Sequence, residues 1–188
     1  MTVEDFTTYT EVDPNNHISK TAYHVDFQPY RNEDAYLYKD KGASYFMEFT
    51  HYLEITVVSG QNYFQGHPWA LTNEVDDING LKTAGKTFID IQIYKSTESN
   101  QARIYIDKCD AGVYTSSSYY LLTYGTKYYL KIVRTGTSLT LYIYSDFARS
   151  NLLSTLTLTT DIGWSFRYVF AANTWNSNNT YYGDIDIN

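Results

Sequence analysis

The sequence predicts an all-β protein, a two-sheet antiparallel β-sandwich that forms a single domain over residues 1–188. Runs of alternating apolar and polar residues recur from Tyr45 to Ile187, which is typical of strands with one buried face. The chain has 21 tyrosines among 188 residues, and tyrosine, threonine and isoleucine favour pleated, half-buried surfaces. Turn-forming pairs separate the runs, as at 59–60 and 79–80. A domain of this length buries a sizeable core without disulfides.

The predicted strands follow one another with little helical periodicity between them. Within them, aliphatic residues share one side, as Ile89, Ile91 and Ile93 do, and polar or aromatic residues share the other. One segment, residues 61–85, breaks the alternation, and we expect a short strand followed by a long loop there. The strand segments are 34–40, 44–60, 86–95, 102–110, 127–136, 138–146, 152–160, 166–172 and 181–188.

Charge and composition exclude several functions. The net charge is −7, and a net negative surface repels phosphate backbones, so we expect no nucleic-acid partner. No apolar stretch approaches the ~18 residues of a membrane-spanning helix, so we expect no membrane contact. The N-terminus lacks the basic and apolar segments of a signal peptide. An extracellular or virion-surface location is still favoured, and Cys109, the single cysteine, predicts no intramolecular disulfide.

A family resemblance rests on the hairpin YYLKIVRTGTSLTLYIYSD at 128–146 and the return strand YGDIDIN at 182–188. The hairpin resembles the signature hairpin of laminin-G-like domains. The whole chain is similar to the concanavalin A-like lectin/glucanase superfamily. The resemblance implies a jelly roll of two curved sheets, a fold that often binds glycans and sometimes calcium. Because the same fold also hosts purely structural domains, it does not fix the function.

The enzymes of that superfamily offer two comparisons. Its glucanases share a strand that reads E-[IL]-D-x-E, whose outer carboxylates act as nucleophile and acid. The matching strand here places Phe88 and Gln92 at those acid positions, so we expect no hydrolysis of β-glucans. Its alginate lyases share a Q-I-H pattern, and here Tyr94 replaces the histidine. A polysaccharide lyase or hydrolase is therefore the third hypothesis, and catalysis is less favoured than binding.

The acidic segment NEVDDING, residues 73–80, is a candidate calcium site. It is similar to an EF-hand loop, but Val75 and Lys86 occupy positions that need oxygen donors. A looser site would use Asp76, Asp77 and Asn79 with backbone carbonyls. The alternative is a solvated loop whose Asn-Gly pair makes a turn, so we expect no required cofactor and leave calcium open.

The outward residues of the strands carry the leading hypothesis, a non-catalytic carbohydrate-binding or adhesion module. Aromatic rings stack on sugar rings, and Asp, Gln and Arg bridge sugar hydroxyls. An oligo- or polysaccharide is the expected partner. The alternative is a structural or virion-type assembly domain, which leaves a homo-oligomer open and whose tyrosines form cross-strand pairs and contact protein. The candidate binding residues, expected on one concave face, are Asp90, Gln92, Tyr94, Arg103, Tyr105, Asp107, Tyr142 and Tyr144.

Overall fold

The structure of the protein, a computed structural model, describes residues 3–188. Fifteen strands, one α-helix and a short 3-10 helix (Phe6–Thr8) account for its regular elements. No helix in the described part of the chain has the length and apolarity needed to cross a membrane. The strands are β1 (Thr10–Val12), β2 (Ile18–Lys20), β3 (Val25–Phe27), β4 (Tyr36–Asp40), β5 (Phe49–Gly60), β6 (Gln65–Thr72), β7 (Phe88–Tyr94), β8 (Gln101–Asp110), β9 (Val113–Ser116), β10 (Tyr120–Thr123), β11 (Lys127–Thr135), β12 (Ser138–Tyr144), β13 (Leu152–Thr159), β14 (Tyr168–Thr174) and β15 (Gly183–Ile187), and the helix is α1 (Ile78–Thr83).

Two antiparallel sheets pack face to face, which confirms the predicted two-sheet sandwich. The first sheet has the order β1-β4-β14-β6-β7-β8-β10, and β9 pairs with β8. The second has the order β13-β12-β11-β5-β15-β3-β2. The hairpin that suggested the family is β11–β12, with Leu130 opposite Ile143 and Lys131 opposite Tyr142. The C-terminal strand β15 lies between β5 and β3 in the same sheet.

The main core lies between the sheets and is built from the aliphatic sides of the strands, as the alternation predicts. Ile89, Ile91 and Ile93 enter it from the first sheet, and Ile132 and Ile143 enter it from the second. All five are fully buried. Burying side chains of this size contributes roughly 1.5–3 kcal/mol each. Because the inward face of each strand is occupied by this core, only the outward face can contact a ligand.

A second, smaller core covers part of the outer face of the first sheet. Ile78 and Leu81 of α1 pack there against Phe88 and Phe170. The carboxylate of Asp77 caps the helix by accepting from the backbone N–H groups of residues 79 and 80. Charged caps of this kind stabilise a helix start by about 1 kcal/mol. On the outer face of the first sheet, the end at Phe88 of β7 is therefore covered. The end at Tyr94 lies outside this second core and is called the open end.

The segment 61–85 differs from the expected short strand and long loop. Strand β6 has eight residues and all are buried, because the core lies on one side and α1 with its flanking loops lies on the other. A strand buried on both faces loses the polar-apolar alternation. A register shift between Gly66 and Trp69 also interrupts the pairing with β7. Both effects hide the strand from a pattern-based prediction.

Candidate functional site

Six of the eight predicted binding residues share the outer face of the hairpin β7–β8. Three cross-strand pairs run along it, and directly opposed residues of a pair project from the same face. From the covered end to the open end of the face the pairs are Asp90–Asp107, Gln92–Tyr105 and Tyr94–Arg103. The structure therefore places these six residues on one sheet face, and their role in binding stays a prediction.

The prediction that Tyr142 and Tyr144 join that surface is wrong. Both lie on β12, which pairs with β11 and β13 in the second sheet. Their aliphatic neighbour Ile143 points into the inter-sheet core, so the two tyrosines face outward on the opposite side of the sandwich. Alternation shows which residues of one strand share a side, but not which sheet the strand joins. The eight residues therefore do not form one groove.

The covered end of the β7–β8 face holds a buried polar network. The Tyr114 hydroxyl lies 2.9 Å from Asp90 Oδ2 and 2.8 Å from Asp107 Oδ2. Asp90 Oδ2 also lies 2.5 Å from His67 Nδ1. A tyrosine hydroxyl has a single hydrogen to donate, so the second carboxyl must supply a proton of its own to complete both bonds. The arrangement thus favours one neutral carboxyl in the Asp90–Asp107 pair.

Burial strengthens this conclusion for Asp107. Desolvation, followed by the nearby charge of Asp90, raises the pKa of Asp107 well above its usual range. Desolvation likewise raises the pKa of Tyr114 well above its usual range, so the bridging hydroxyl keeps its hydrogen. Asp107 is therefore the carboxyl of the pair whose protonated form the site favours.

The predicted contacts of Asp90 and Asp107 with sugar hydroxyls are not available in this structure. Both side chains are 0 % exposed. Trp175 closes the region, since its ring stacks on His67 at 6.0 Å and meets the edge of Tyr114 at 5.5 Å between centroids. The cover comes from β9 and from the segment after β14, which the sequence around β7 and β8 does not reveal.

The open end of the same face is aromatic but partly occupied by its own side chains. The Arg103 guanidinium lies 2.5 Å from Glu98 Oε1 and 4.6 Å from the ring centroid of Tyr119. The Tyr105 ring lies 5.7 Å from that of Tyr119. Desolvation raises the pKa of Tyr105. Glu98 and Tyr119 therefore occupy part of the Arg103 guanidinium and of this end of the face.

A cleft of about 560 Å³ opens beside this end, between the turn after β5 and the segment before β15. Tyr63 and Tyr181 are its aromatic residues, with ring centroids 5.6 Å apart and planes tilted by 56°. They remain 42 % and 38 % exposed. The other lining residues supply amide, hydroxyl, ammonium and backbone groups; they are Gly60, Gln61, Asn62, Lys95 and Thr180.

Backbone and side-chain hydrogen bonds hold Tyr63 in place. Its φ of 68° lies in the left-handed region, which costs free energy for a residue with a bulky side chain. The Tyr63 N–H donates to the Lys95 carbonyl at 2.7 Å, and Arg31 Nη1 donates to the Tyr63 carbonyl at 2.8 Å. Lys95 Nζ donates to the Gly60 carbonyl at 3.0 Å. These three bonds stabilise a strained conformation that places an aromatic ring at the cleft.

The opposite wall is attached to the same turn. The Gln61 N–H donates to the Tyr182 carbonyl at 3.0 Å, and the Tyr182 N–H donates to Gln61 Oε1 at 3.3 Å. The Tyr182 ring stacks on Tyr30 at 4.7 Å. The residue after Tyr181 is therefore bonded to the turn, and the Tyr181 carbonyl itself accepts from the Arg31 N–H at 3.1 Å.

Sequence reasoning missed the cleft because its walls come from turns far apart in the chain. The segments QNYF at 61–64 and NNTYYG at 178–183 combine amides, tyrosine and glycine without strand periodicity. That composition is the available signal, since aromatic and amide side chains together are typical of sugar-binding loops.

The candidate calcium residues are engaged in capping and loop contacts. Asp77 caps α1 and also accepts from the Asn176 N–H at 3.0 Å. The Asn79 side-chain amide donates to the Asn176 carbonyl, and Asp76 Oδ1 accepts from the Asp77 N–H at 2.9 Å. Desolvation raises the pKa of Asp77 to about 6. Within residues 3–188, no group of three His, Cys, Asp or Glu side chains is arranged to hold a metal ion; calcium binding stays a prediction.

Comparison with known proteins supports the fold. No protein-family model matches the chain, and no curated protein matches it in sequence. A legume lectin-like domain from Entamoeba histolytica is similar in structure, at 17% identity and a TM-score of 0.57 over 97% of this chain and 89% of that one. The GH43 protein BlXynB from Bacillus licheniformis matches at 10% identity and a TM-score of 0.60, over 98% of this chain and 38% of that one.

A third structure is the CBM2 module of the evolved Dit protein of Lactobacillus casei BL23 phage J-1. It matches at 11% identity and a TM-score of 0.50, over 95% of this chain and 78% of that one. At these identities the similarity concerns the fold alone. The predicted resemblance is confirmed as a resemblance of fold, an all-β two-sheet sandwich. The laminin-G-like and jelly-roll assignments remain predictions.

Proposed function

We propose that the protein is a non-catalytic carbohydrate-binding module whose ligand lies in this cleft, against the exposed faces of the Tyr63–Tyr181 ring pair. The single observation that carries the proposal is this pair of exposed rings, with centroids 5.6 Å apart, in a cleft with amide and hydroxyl groups around it. A sugar presents apolar C–H patches to an aromatic face and hydroxyls to polar groups at the ring edge. Because Tyr63 is held in its strained conformation before any ligand arrives, the ordering cost on binding is small.

Two structurally similar proteins support a carbohydrate ligand for this cleft. One is described as a legume lectin-like domain and another as a CBM2 module. Each description concerns that protein. For this chain they support the choice of a saccharide over other ligands of an aromatic cleft.

The geometry argues against a hydrolase as the leading function. Phe88 is fully buried and has no titratable group, so it cannot serve as the acid of a glucanase-like strand. Asp90 is enclosed with His67 and Tyr114, and its Oδ2 is hydrogen-bonded to both. A retaining mechanism needs two carboxyls that reach the same glycosidic bond. Within the described residues, the side chains of Asp90 and Asp107 are both fully buried, so neither reaches a substrate in this structure.

A glycan array followed by calorimetric titration tests the proposal. Tyr181→Ala removes a stacking surface, and we expect it to weaken binding of the best array glycan by about 1 kcal/mol, roughly fivefold. Tyr142→Ala is the matched control, because it removes a half-buried tyrosine from the opposite sheet. We expect the control to bind as the wild type does, and we expect calcium and EDTA to leave both titrations unchanged.

Three outcomes oppose the proposal. Equal losses in the two variants would place the ligand elsewhere, and a loss only in Tyr142→Ala would move it to the second sheet. Absence of any bound glycan, together with self-association of the wild type in solution, would favour the structural or virion-type assembly role.

A further inference from the structure

The cleft carries positive charge in a chain that is acidic overall. The sequence has 14 Lys and Arg residues against 21 Asp and Glu residues. Lys95 lines the cleft, and Arg31 lies behind it, bonded to the Tyr63 carbonyl. Among the ion pairs of residues 3–188, neither cation has a carboxylate partner. The local charge at the cleft is therefore opposite in sign to the net charge.

Neutral groups, not acids, position these two cations. Lys95 Nζ donates one hydrogen to the Gly60 carbonyl and lies 5.2 Å from the ring centroid of Tyr124. An ammonium has three hydrogens, so two remain for a ligand. Arg31 uses Nη1 for a carbonyl, and its Nε has no hydrogen-bond partner within the described residues. Both cations keep unused donor capacity and an uncompensated charge.

In the part of the chain that the structure describes, no acid competes for these two cations at the cleft wall. The lining residues include no Asp or Glu. Glu98 follows the same strand end as Lys95, but it is paired with Arg103 at 2.5 Å. Its hydrogen bonds and that partner lower the pKa of Glu98 against the effect of burial, so Glu98 stays committed to Arg103.

We propose that the cleft binds a sugar that carries a carboxylate, a uronic acid, with Lys95 Nζ as the group that contacts the carboxylate. This inference rests on the proposed carbohydrate-binding function and adds the class of sugar. The rings of Tyr63 and Tyr181 stack on the pyranose, and Arg31 adds positive potential from behind the cleft. Because the net charge of −7 repels polyanions at long range, the ligand is a single acidic residue or a short glycan end, not a densely charged polymer.

Backbone NMR titration with four methyl glycosides separates charge from shape. The acidic probes are methyl β-D-glucuronide and methyl β-D-galacturonide, and their neutral counterparts are the glucoside and the galactoside. We expect a uronide to shift the amides of residues 61–63 and 180–182 with a Kd roughly fivefold below that of its neutral counterpart, the upper range for a partly exposed ion pair. Raising NaCl to about 0.5 M should narrow that difference, because salt screens exposed charges.

Two matched variants test whether Lys95 causes the difference in Kd between the uronides and the neutral glycosides. Lys95→Gln retains a donor for the Gly60 carbonyl and removes the charge, so we expect uronide affinity to fall to the level of the neutral glycoside. Lys131→Gln is the control, since Lys131 also lies over a tyrosine ring, 5.6 Å from Tyr142. Among the ion pairs of the described residues, it likewise has no carboxylate partner. This control should leave all four titrations unchanged.

The outcomes distinguish a failure of the uronic-acid inference from a failure of the proposed carbohydrate-binding function. Equal affinity for acidic and neutral glycosides would overturn the uronic-acid inference and leave the sugar site intact. A preference for uronides that survives Lys95→Gln would overturn the role of Lys95. Cleft amides that respond to none of the four glycosides would overturn the inference together with the proposed function.

Discussion

The tyrosines of the cleft and those of the β11–β12 hairpin face solvent in different ways. On the second sheet, Lys131 lies 5.6 Å from the Tyr142 ring, and Arg149 lies 4.8 Å from the Tyr52 ring. At the cleft, Tyr63 and Tyr181 pair with each other, and no cation within residues 3–188 lies over either ring. A ring face occupied by a cation of its own sheet contributes to stability, whereas an unoccupied face is available to a ligand.

The difference explains the unusual tyrosine content of the hairpin. Its outward tyrosines contact neighbouring cations and one another. The rings of Tyr142 and Tyr144, for example, stack with centroids 6.5 Å apart. Residue type alone therefore does not mark a binding surface in this protein. What distinguishes the cleft is concavity and the absence of a cation over its rings.

The largest expected effect comes from the inner side of the same hairpin. Ile143 lies between Tyr142 and Tyr144 in sequence and is fully buried in the core. We expect Ile143→Ala to lower the free energy of unfolding by roughly 2–5 kcal/mol, because it leaves a cavity between the sheets. Denaturant unfolding measures the loss. A change under about 1 kcal/mol would show that this layer is less tightly packed than the structure indicates.

The buried acid network should produce the next largest effect. Asp107→Ala leaves the Tyr114 hydroxyl without one of its partners, and we expect a loss of about 1–3 kcal/mol in unfolding free energy. Asp107→Asn retains a side chain that donates a hydrogen bond, as the protonated carboxyl does. It should therefore be at least as stable as the wild type at neutral pH. Equal destabilisation of both variants would refute a proton held on Asp107.

The pH dependence of stability follows from the same proton. The folded-state pKa of Asp107 is raised, so the folded chain keeps a proton that the unfolded chain loses near pH ~4. The stability that this proton contributes is fully present below that pH and is lost as pH rises toward the folded pKa. Burial also raises the pKa values of Asp77 and Asp184 to about 6, which adds a loss in the same direction between about pH 4 and 6.

The matched variant isolates the contribution of Asp107. Asp107→Asn keeps Asp77 and Asp184, so their contributions cancel in the difference between the two proteins. We expect the stability of the variant relative to the wild type to rise as the pH increases from about 4. Thermal unfolding across that range measures it, and a difference that does not vary with pH would contradict the assigned proton.

The hairpin tyrosines should give a smaller effect on stability. Tyr142→Ala removes one partner of the contact with Lys131, and we expect a loss of about 0.5–1 kcal/mol in unfolding free energy, the range for an exposed cation–π pair. Tyr181→Ala should be nearly neutral for stability, because its ring is more exposed and, within residues 3–188, forms its one aromatic pair with Tyr63. The reverse order in denaturant unfolding would remove the contrast between the two regions.

The smallest expected effect is an absence of catalysis. Because Phe88 and Gln92 occupy the acid positions of the glucanase-like strand, we expect no release of reducing ends from β-glucans. Release that disappears in Asp90→Asn would show that the buried Asp90 reaches a substrate after all.

Sequence periodicity predicts most of the fold but only part of the site. The alternation in β7, β8, β11 and β12 gives the inward residues correctly, since solvent contact has a period of two in each strand. It cannot give the sheet that a strand joins, and so Tyr142 and Tyr144 were grouped with the wrong face. Nor can it show that Trp175 closes over Asp90 and Asp107, because that contact joins segments distant in the chain.

Sequence periodicity also cannot predict the cleft. Its walls are turns, and the left-handed conformation of Tyr63 depends on hydrogen bonds from Arg31 and to Lys95, which are distant from one another in sequence. Turn composition suggests polar and aromatic loops, but only the tertiary pairing brings 61–63 and 180–182 together.

Chemical-shift mapping with the best glycan of the array tests the central claim most directly. If the ligand occupies the cleft, the amides of residues 60–63 and 180–182 shift on titration, and those of residues 129–144 on the second sheet do not. The same titration on Tyr181→Ala should show smaller shifts at matched glycan concentrations. Shifts confined to residues 129–144 would place the ligand on the hairpin tyrosines and contradict the claim.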